Sequence, residues 1–249
     1  MTTKIFDAHC HFNHGAKNDT ITSVFYNADL SFLLEEYDRL NISGGGFSSF
    51  DSVLSAENIF KENEYTAKMT FENKKVFQWV VLDPRNEKLF VQAAELLKNK
   101  KALGIKIHSL GHGYSILKYI RRIFKFACEQ CKPVLMHPDE MTHVAKIAEE
   151  YPSVNLIMAH LGRKEHIETF ENSSGNIYAD TSGEASTYNR VIEYMVERFG
   201  SEKILFGTDS YSFAFQYGRI KYANISETDK KAILFENAAK LFGDKINVL

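Results

Sequence analysis

The sequence lacks a strong net charge, long apolar runs and a large set of cysteines. Its 249 residues carry a formal net charge of −2 at pH 7, which argues against recognition of nucleic acid or membrane surfaces through bulk electrostatics. No segment approaches the ~20 apolar residues that a membrane-spanning helix needs. Residues 1–7 lack the charged start and apolar stretch of a signal peptide. We therefore expect a cytoplasmic protein that acts on a small molecule and binds neither nucleic acid nor membrane.

The cysteines are few and odd in number, so we expect no structural disulfide. They are Cys10, Cys128 and Cys131. The last two have CxxC spacing, but a zinc ribbon needs a second such pair, which the sequence does not contain. Apolar residues at helical spacing from Ile120 lead into Cys128, which places the pair at the buried end of a helix. A redox role is the alternative.

The glycine-rich phosphate loops GxGxxG and GxxxxGK[ST] are also missing, which leaves a nucleotide-binding fold without support. What the sequence does contain is a series of eight short apolar segments that alternate with helical patterns. They are Ile5–His9, Ile42–Phe47, Phe77–Leu82, Leu103–His108, Pro133–His137, Asn155–His160, Asn176–Asp180 and Lys203–Asp209. This alternation predicts βαβ units and a parallel sheet.

Eight strand–helix pairs in a chain of this length are typical of a TIM barrel. The amphipathic patterns at Leu89–Leu97, Val144–Tyr151 and Val191–Phe199 predict three of its helices. Ser226 starts a capping signal for a closing helix that runs to Phe242. We therefore predict an α/β fold, a single (β/α)8 TIM barrel, as one domain over residues 1–249.

Polar side chains end several of the predicted strands. His108, His137, His160 and Asp209 each follow a run of apolar residues. In a parallel barrel the C-terminal ends of all strands meet on one face, which carries the active site. These four residues are therefore predicted to converge.

The first strand contributes two further histidines, His9 and His11. Because side chains alternate along a strand, both point to the same side and Cys10 points to the other. Two converging imidazoles suit a divalent metal, with a third histidine and a carboxylate completing the ligands. Any one of these histidines taken alone is better explained as a hydrogen-bonded core or surface residue. Coincidence is a poor explanation for the whole set.

Taken together, these segments resemble the amidohydrolase superfamily, in particular the amidohydrolase-related branch of small hydrolases and non-oxidative decarboxylases. The matching pieces occur in the family's order along the whole chain. They are Phe6–His11, Gly104–His108, Leu135–Pro138, Ala159–Gly162, Phe206–Asp209 and the closing segment Ile233–Phe242. The resemblance implies a distorted barrel with one divalent metal, usually zinc, with manganese or another divalent ion as the alternatives. Members of the family often form homo-oligomers.

The resemblance also implies roles for individual residues. His9, His11 and His137 would bind the metal, and Asp209 would be a ligand or the general base. His160 would be a ligand or a catalytic group. A metal lowers the pKa of bound water from ~15.7 towards ~7; Asp209 could take its proton and His160 could stabilise the developing oxyanion.

Other residues receive weaker assignments. In some relatives a lysine on the fourth strand, the position of Lys106 here, is carbamylated and bridges two metals. The Gly104–His108 segment looks more like the branch with one metal, in which this lysine is not a bridge. Asp7 shares the predicted inward parity of His9 and could support the ligands, or be structural. His14, His112, His143 and His166 are expected at the surface. Four residues are candidate substrate contacts: His108, Lys106, Arg163 (alternatively a solvated start of the next helix) and Glu184.

Three functions are compatible with this pattern. The first is hydrolysis of a small, polar, carboxylate-bearing ester, amide or lactone. The second is non-oxidative decarboxylation on the same metal site. The third is a barrel that has lost activity and only binds, which is disfavoured because every matched ligand position is filled.

Overall fold

The computed structural model describes residues 4–15, 28–173, 176–183 and 188–247. Eight parallel strands form one sheet in which each strand pairs with the next along the chain. The strands are β1 (Phe6–Phe12), β2 (Gly44–Ser49), β3 (Val76–Val81), β4 (Ala102–Ile107), β5 (Val134–Met136), β6 (Leu156–Met158), β7 (Ile177–Asp180) and β8 (Ile204–Leu205). The eight predicted strands are confirmed.

The last strand returns to the first and nearly closes the sheet. The Ala8 amide donates to the Phe206 carbonyl at 2.8 Å, and the amides of Thr208 and Asp209 both donate to the His9 carbonyl, at 3.1 and 2.8 Å. The predicted (β/α)8 TIM barrel is therefore confirmed. These bonds also tie the chain around His9 to the chain around Asp209.

Helices fill the connections between strands and cover the outside of the barrel. They are α1 (Leu30–Arg39), α2 (Phe50–Leu54), α3 (Ile59–Glu72), α4 (Glu87–Leu96), α5 (Ser109–His112), α6 (Ile120–Glu129), α7 (Met141–Ala148), α8 (Lys164–Asn172), α9 (Val191–Phe199), α10 (Phe213–Lys221), α11 (Glu227–Lys231), α12 (Asn237–Phe242) and α13 (Asp244–Asn247). Single 3₁₀ turns lie at Ala56–Asn58 and Ile116–Lys118, and a π-helical turn at Ala232–Glu236. None of the helices in the described part of the chain is both long and apolar enough to cross a membrane.

A plug of large side chains fills the barrel below its C-terminal face. Trp79 is buried there, and its indole N–H donates to the Ala8 carbonyl at 2.8 Å. A Cβ on Gly46 would lie 2.5 Å from the Trp79 indole nitrogen, and one on Gly104 would lie 2.8 Å from its ring. The glycines in β2 and β4 thus leave room for the indole, which makes the barrel a packed core with its site only at the mouth.

The first strand contains one residue more than its partner requires. Asp7 pairs with Gly45, whereas Cys10 pairs with Phe47, so three steps on β1 oppose two on β2. This β-bulge reverses the alternation of side chains. The prediction that Asp7 shares the inward parity of His9 is therefore wrong: its carboxylate accepts a hydrogen bond at 2.9 Å from Tyr37, which packs in the outer layer.

Two further expectations from the sequence are corrected. Cys128 and Cys131 are exposed, because the buried face of α6 is centred on Ile123 and Ala127 and the helix ends at Glu129. His112 and His166 are buried although they lie on helices. His112 donates to the Ser52 carbonyl and His166 to the Ala159 carbonyl, which lets each ring enter the interior.

Candidate metal centre and active site

Two histidines of β1 and one aspartate after β8 converge at the mouth of the barrel. The Nε2 atoms of His9 and His11 lie 3.0 Å apart. The Oδ1 atom of Asp209 lies 3.6 Å from the first and 3.2 Å from the second. Ligands that are each ~2.0–2.2 Å from one ion have separations of this size. The three donor atoms thus fit a divalent cation.

The far side of each imidazole is held by an acceptor. His9 Nδ1 lies 3.0 Å from the buried carboxylate of Asp180, and His11 Nδ1 lies 3.3 Å from the Ser48 carbonyl. Because neither oxygen carries a hydrogen, each Nδ1 must be the donor, which leaves the Nε2 lone pair to face Asp209. This is the arrangement by which proteins orient metal-binding histidines.

The charge states of this cluster also suit a cation. Burial lowers the pKa of His9 to about 4 and lowers that of His11, so both rings are neutral at pH 7. Burial alone would raise the pKa of Asp209, but the imidazoles of His160, His11 and His9 lower it below its usual range whenever they carry positive charge or a proton towards its carboxylate. Two neutral nitrogens and one carboxylate oxygen form a donor set used by several divalent metals.

Lys106 reaches the same cluster from β4. Its ammonium lies 2.7 Å from His9 Nε2, and the side chain is buried. Burial lowers the pKa of Lys106 to about 8, while the carboxylates of Asp209 and Asp180 oppose that shift. The structure therefore brings Lys106 into direct contact with a candidate metal ligand.

His160 lies on the other side of Asp209. Its Nε2 atom is 3.9 Å from Asp209 Oδ2, and its Nδ1 atom is 3.0 Å from the Ser182 hydroxyl. Ser182 donates its proton to Asp180 and so accepts from His160 Nδ1. With its single proton on Nδ1, the neutral form of the ring would present a lone pair on Nε2 to Asp209. A Cβ on Gly183 would lie 2.5 Å from His160 Nδ1, so glycine is needed for this approach.

The backbone is strained where the site is built. His160, Asp209 and Ser210 adopt φ angles of 64°, 55° and 63°. Non-glycine residues in this left-handed region are uncommon and cluster at functional sites. In this protein the strained segments directly follow β6 and β8, and they turn the side chains of His160 and Asp209 towards each other.

The remaining residues predicted for the site lie outside the His9–His11–Asp209 cluster or outside the described part of the chain. His137 lies outside the His9–His11–Asp209 cluster, with its ring 5.2 Å from that of His160 and 4.3 Å from that of His108. Its Nδ1 is buried and, within the described ranges, has no hydrogen-bond partner. Arg163 is exposed at the start of α8, as its alternative interpretation expects. Glu184 lies outside the described residues.

Three residues at the site were not singled out in the sequence. Asp180 and Ser182 support His9 and His160, and Ser48 supports His11. Asp180 did carry a signal, because it ends a predicted strand in the same way as His137 and His160. Ser48 carried no such signal in the sequence, because one of its contacts with His11 is made by its backbone carbonyl, which every residue has.

A second group, His9, His160 and Asp180, also has the spacing of metal ligands. The Ser182 hydroxyl lies within 3.1 Å of both His9 Nδ1 and His160 Nδ1 and bonds to Asp180. These groups are therefore already joined by hydrogen bonds through the serine. This favours a supporting network over a second ion.

Residues 6–243 match the sequence profile of the amidohydrolase family. No curated protein matches the chain in sequence.

Solved structures share its fold at low identity. The 5-carboxyvanillate decarboxylase from Sphingomonas paucimobilis has a TM-score of 0.75 at 14% identity, over 97% of this chain and 99% of its own. A dihydroxybenzoic acid decarboxylase from Polaromonas sp. JS666, with bound manganese and the inhibitor 2-nitroresorcinol, has a TM-score of 0.75 at 14% identity, over 97% of both chains. A probable 2-pyrone-4,6-dicarboxylic acid hydrolase from Acinetobacter baumannii, with citric acid bound, has a TM-score of 0.73 at 15% identity, over 96% of this chain and 99% of its own. The profile match extends over nearly the whole barrel, and the chain therefore belongs to the amidohydrolase family of enzymes.

Proposed function

We propose that the protein is a metal-dependent hydrolase that cleaves a small, carboxylate-bearing ester, amide or lactone. The observation that carries this proposal is the cluster of His9 Nε2, His11 Nε2 and Asp209 Oδ1, whose separations of 3.0, 3.2 and 3.6 Å suit one ion. His137 would be the fourth ligand, since an ion would satisfy its buried Nδ1, which has no hydrogen-bond partner among the described residues. A bound divalent metal supplies an acidified water and polarises the scissile carbonyl.

The metal is proposed to be a single zinc ion, with manganese as the alternative. Histidine nitrogen and carboxylate oxygen serve both ions, so the donor set does not select between them. The manganese in the Polaromonas decarboxylase supports the alternative.

Asp209 and His160 would handle protons. Asp209 turns Oδ1 towards the two histidines and Oδ2 towards His160 Nε2. A proton taken from water by Asp209 can therefore be held on Oδ2 and delivered to the leaving group. His160 would stabilise a developing oxyanion only when protonated, because its neutral form presents a lone pair on Nε2.

Residues at the rim and interior of the mouth would bind the substrate. Arg163 is an exposed cation after β6, Lys106 lies in β4, and His108 directly follows that strand. We propose all three, together with Glu184, as contacts for a small polar substrate.

We also propose that the whole chain, residues 1–249, is one domain and that it works in the cytoplasm. It is further proposed to form a homo-oligomer, and light scattering of the purified protein would measure its mass.

Decarboxylation is the second candidate function. It is favoured by two of the similar structures, which are named as decarboxylases of aromatic acids. The same residues would serve, except that Asp209 would take its proton from solvent and pass it to the ring carbon, which keeps the electron pair of the broken C–C bond as carbon dioxide leaves. No water would then be consumed.

The first test is the metal content of the protein expressed with zinc and manganese. We expect about one ion per chain, lost when His9 and His11 are both changed to Ala. The matched control is His143→Ala, which removes an exposed histidine. Two ions per chain would support a bridging Lys106, and no ion after reconstitution would overturn the proposal.

Isotopes separate the two reactions. Hydrolysis by attack of water on the scissile carbonyl in H₂¹⁸O places one ¹⁸O atom in the product carboxylic acid. Decarboxylation in D₂O releases carbon dioxide and places one deuterium on carbon. A panel of lactones, esters and aromatic acids tested in both solvents would identify the reaction.

A further inference from the structure

His108 follows β4 and caps the short helix α5. Its Nδ1 atom accepts a hydrogen bond from the Gly111 amide at 2.8 Å. A backbone amide can only donate, so Nδ1 must present a lone pair. A neutral His108 with this bond therefore carries its proton on Nε2, and an imidazolium could not make the bond.

The surrounding packing keeps this geometry. A Cβ on Gly111 would lie 2.7 Å from His108 Nδ1 and 2.3 Å from the Val53 carbonyl, so only glycine allows the approach. His112, at the end of α5, bonds to the Ser52 carbonyl of α2 at 2.8 Å. The helix α5 thus packs closely against α2 at Gly111 and is hydrogen-bonded to it at His112. The fold therefore fixes the tautomer of His108.

The other ring nitrogen, Nε2, has no hydrogen-bond partner among the residues that the structure describes. The ring lies 4.3 Å from that of His137, which in turn lies 5.2 Å from that of His160. His108 thus stands beside the candidate active site with an N–H group that no described residue accepts.

This is the opposite of what the metal ligands show. His9 and His11 donate from Nδ1 and keep the Nε2 lone pair, whereas His108 accepts at Nδ1 and keeps the Nε2 proton. A protonated nitrogen cannot bind a metal. His108 can therefore act as a hydrogen-bond donor at the mouth of the barrel, but its Nε2 cannot act as a further metal ligand.

We infer that His108 donates its Nε2–H to a carboxylate oxygen of the bound substrate and so positions it. This inference rests on the proposed function, because it assumes a carboxylate-bearing substrate at the metal site. A neutral donor fixed by the fold orients an anion without adding a second cation beside Lys106. Its hydrogen bond to a charged oxygen is worth about 10- to 100-fold in affinity.

The test compares two substitutions at the same position. His108→Asn keeps an acceptor for the Gly111 amide, since asparagine is a good N-cap residue, but removes the Nε2–H. His108→Ala removes both. The control is His143→Asn, at an exposed histidine. The probes are 2,6-dihydroxybenzoate and resorcinol, which is the same ring without the carboxylate.

We expect His108→Asn to bind 2,6-dihydroxybenzoate at least about tenfold more weakly than the wild type, with resorcinol affinity and metal content unchanged. Long-range ¹H–¹⁵N correlation spectra of the zinc-loaded protein should show His108 as the Nε2–H tautomer. An Nδ1–H tautomer or an imidazolium would overturn the inference, as would unchanged binding of 2,6-dihydroxybenzoate or none by the wild type. Loss of metal from the wild type would instead count against the proposed function.

Discussion

The contact between Lys106 and His9 sets a condition on metal binding. The Lys106 ammonium donates to His9 Nε2 at 2.7 Å, and this is the lone pair that a metal would use. One lone pair cannot serve both partners. An ammonium at this distance would also repel a divalent cation, with little solvent to screen the interaction. Lys106 and the metal therefore compete for His9.

Lys106→Met should strengthen metal binding by about tenfold. The substitution removes the donor and the charge that compete with the metal, and so destabilises the metal-free state by ~1.4 kcal/mol or more. The measurement is titration of apo-protein with zinc against a competing chelator. Lys132→Met, at a half-buried lysine that contacts the Ala102 carbonyl, is the control. Two ions per chain in the wild type and one in Lys106→Met would instead mean that Lys106 bridges two ions.

At the scale of elements, Asp7 joins the first strand to the segment after the last. Its carboxylate accepts from the amides of His9 and Thr208 at 3.1 and 3.0 Å, and from the hydroxyls of Tyr37 and Thr208 at 2.9 and 2.5 Å. Burial raises the pKa of Asp7 to about 7 although all four hydrogen bonds lower it. The bulge that turns Asp7 outward thus holds the ligand-bearing segments of β1 and β8 together.

Asp7→Asn should weaken both the fold and the metal site. The amide group would present hydrogens to donors that need acceptors, which costs about 1–3 kcal/mol of unfolding free energy. Because support of this kind positions metal ligands, metal affinity should fall by about 10- to 100-fold. Urea unfolding and chelator competition measure the two effects. Asp38→Asn, at an exposed carboxylate paired with Lys75, should change neither.

The sequence predicted the elements better than their local irregularities. Apolar runs located every strand, and the helix Val191–Phe199 was predicted to the residue. The extra residue between Asp7 and Cys10 was not visible, because alternation in a fully buried strand does not reveal a bulge. The π-helical turn was missed because it depends on a distant contact: its Ile233 carbonyl accepts a hydrogen bond from the Phe206 amide.

The same distinction holds at the site. Histidines that end strands were predicted because a parallel barrel brings strand ends together. The contact of His9 with Asp180 spans 171 positions of the chain and depends on strand tilt and rotamer, which no local pattern encodes.

The molecule as a whole buries several histidines in their neutral form, which makes its stability depend on pH. His9 and His166 have pKa values lowered to about 4, and burial is the largest cause for each. His166 is not one of the candidate metal ligands, so a substitution there tests this effect without changing the ligand set. Its Nε2–H donates to the Ala159 carbonyl at 3.0 Å, and its buried Nδ1 has no acceptor among the described residues for a second proton.

The pH dependence follows from the difference between the folded and unfolded states. Unfolded His166 titrates near 6.5 and folded His166 near 4, so between these values the unfolded chain binds more protons. The contribution to stability is then complete above about pH 6.5 and is lost as the pH falls towards 4, with a maximum of about 3 kcal/mol. Nearby charges on Asp180, His160 and Arg163 modify this value.

His166→Gln should make stability less sensitive to acid. Glutamine can still donate to the Ala159 carbonyl but binds no proton in this range. Urea unfolding of the metal-free protein at pH 7.5, 6.5, 5.5 and 4.5 gives the slope of unfolding free energy against pH, and this slope should decrease by the equivalent of up to about one proton. His143→Gln, at an exposed histidine beside Glu140, should leave the slope almost unchanged. Equal slopes for wild type and His166→Gln would contradict this prediction. They would show that His166 binds a proton equally well in the folded and unfolded states, and therefore that solvent reaches its ring in the folded protein.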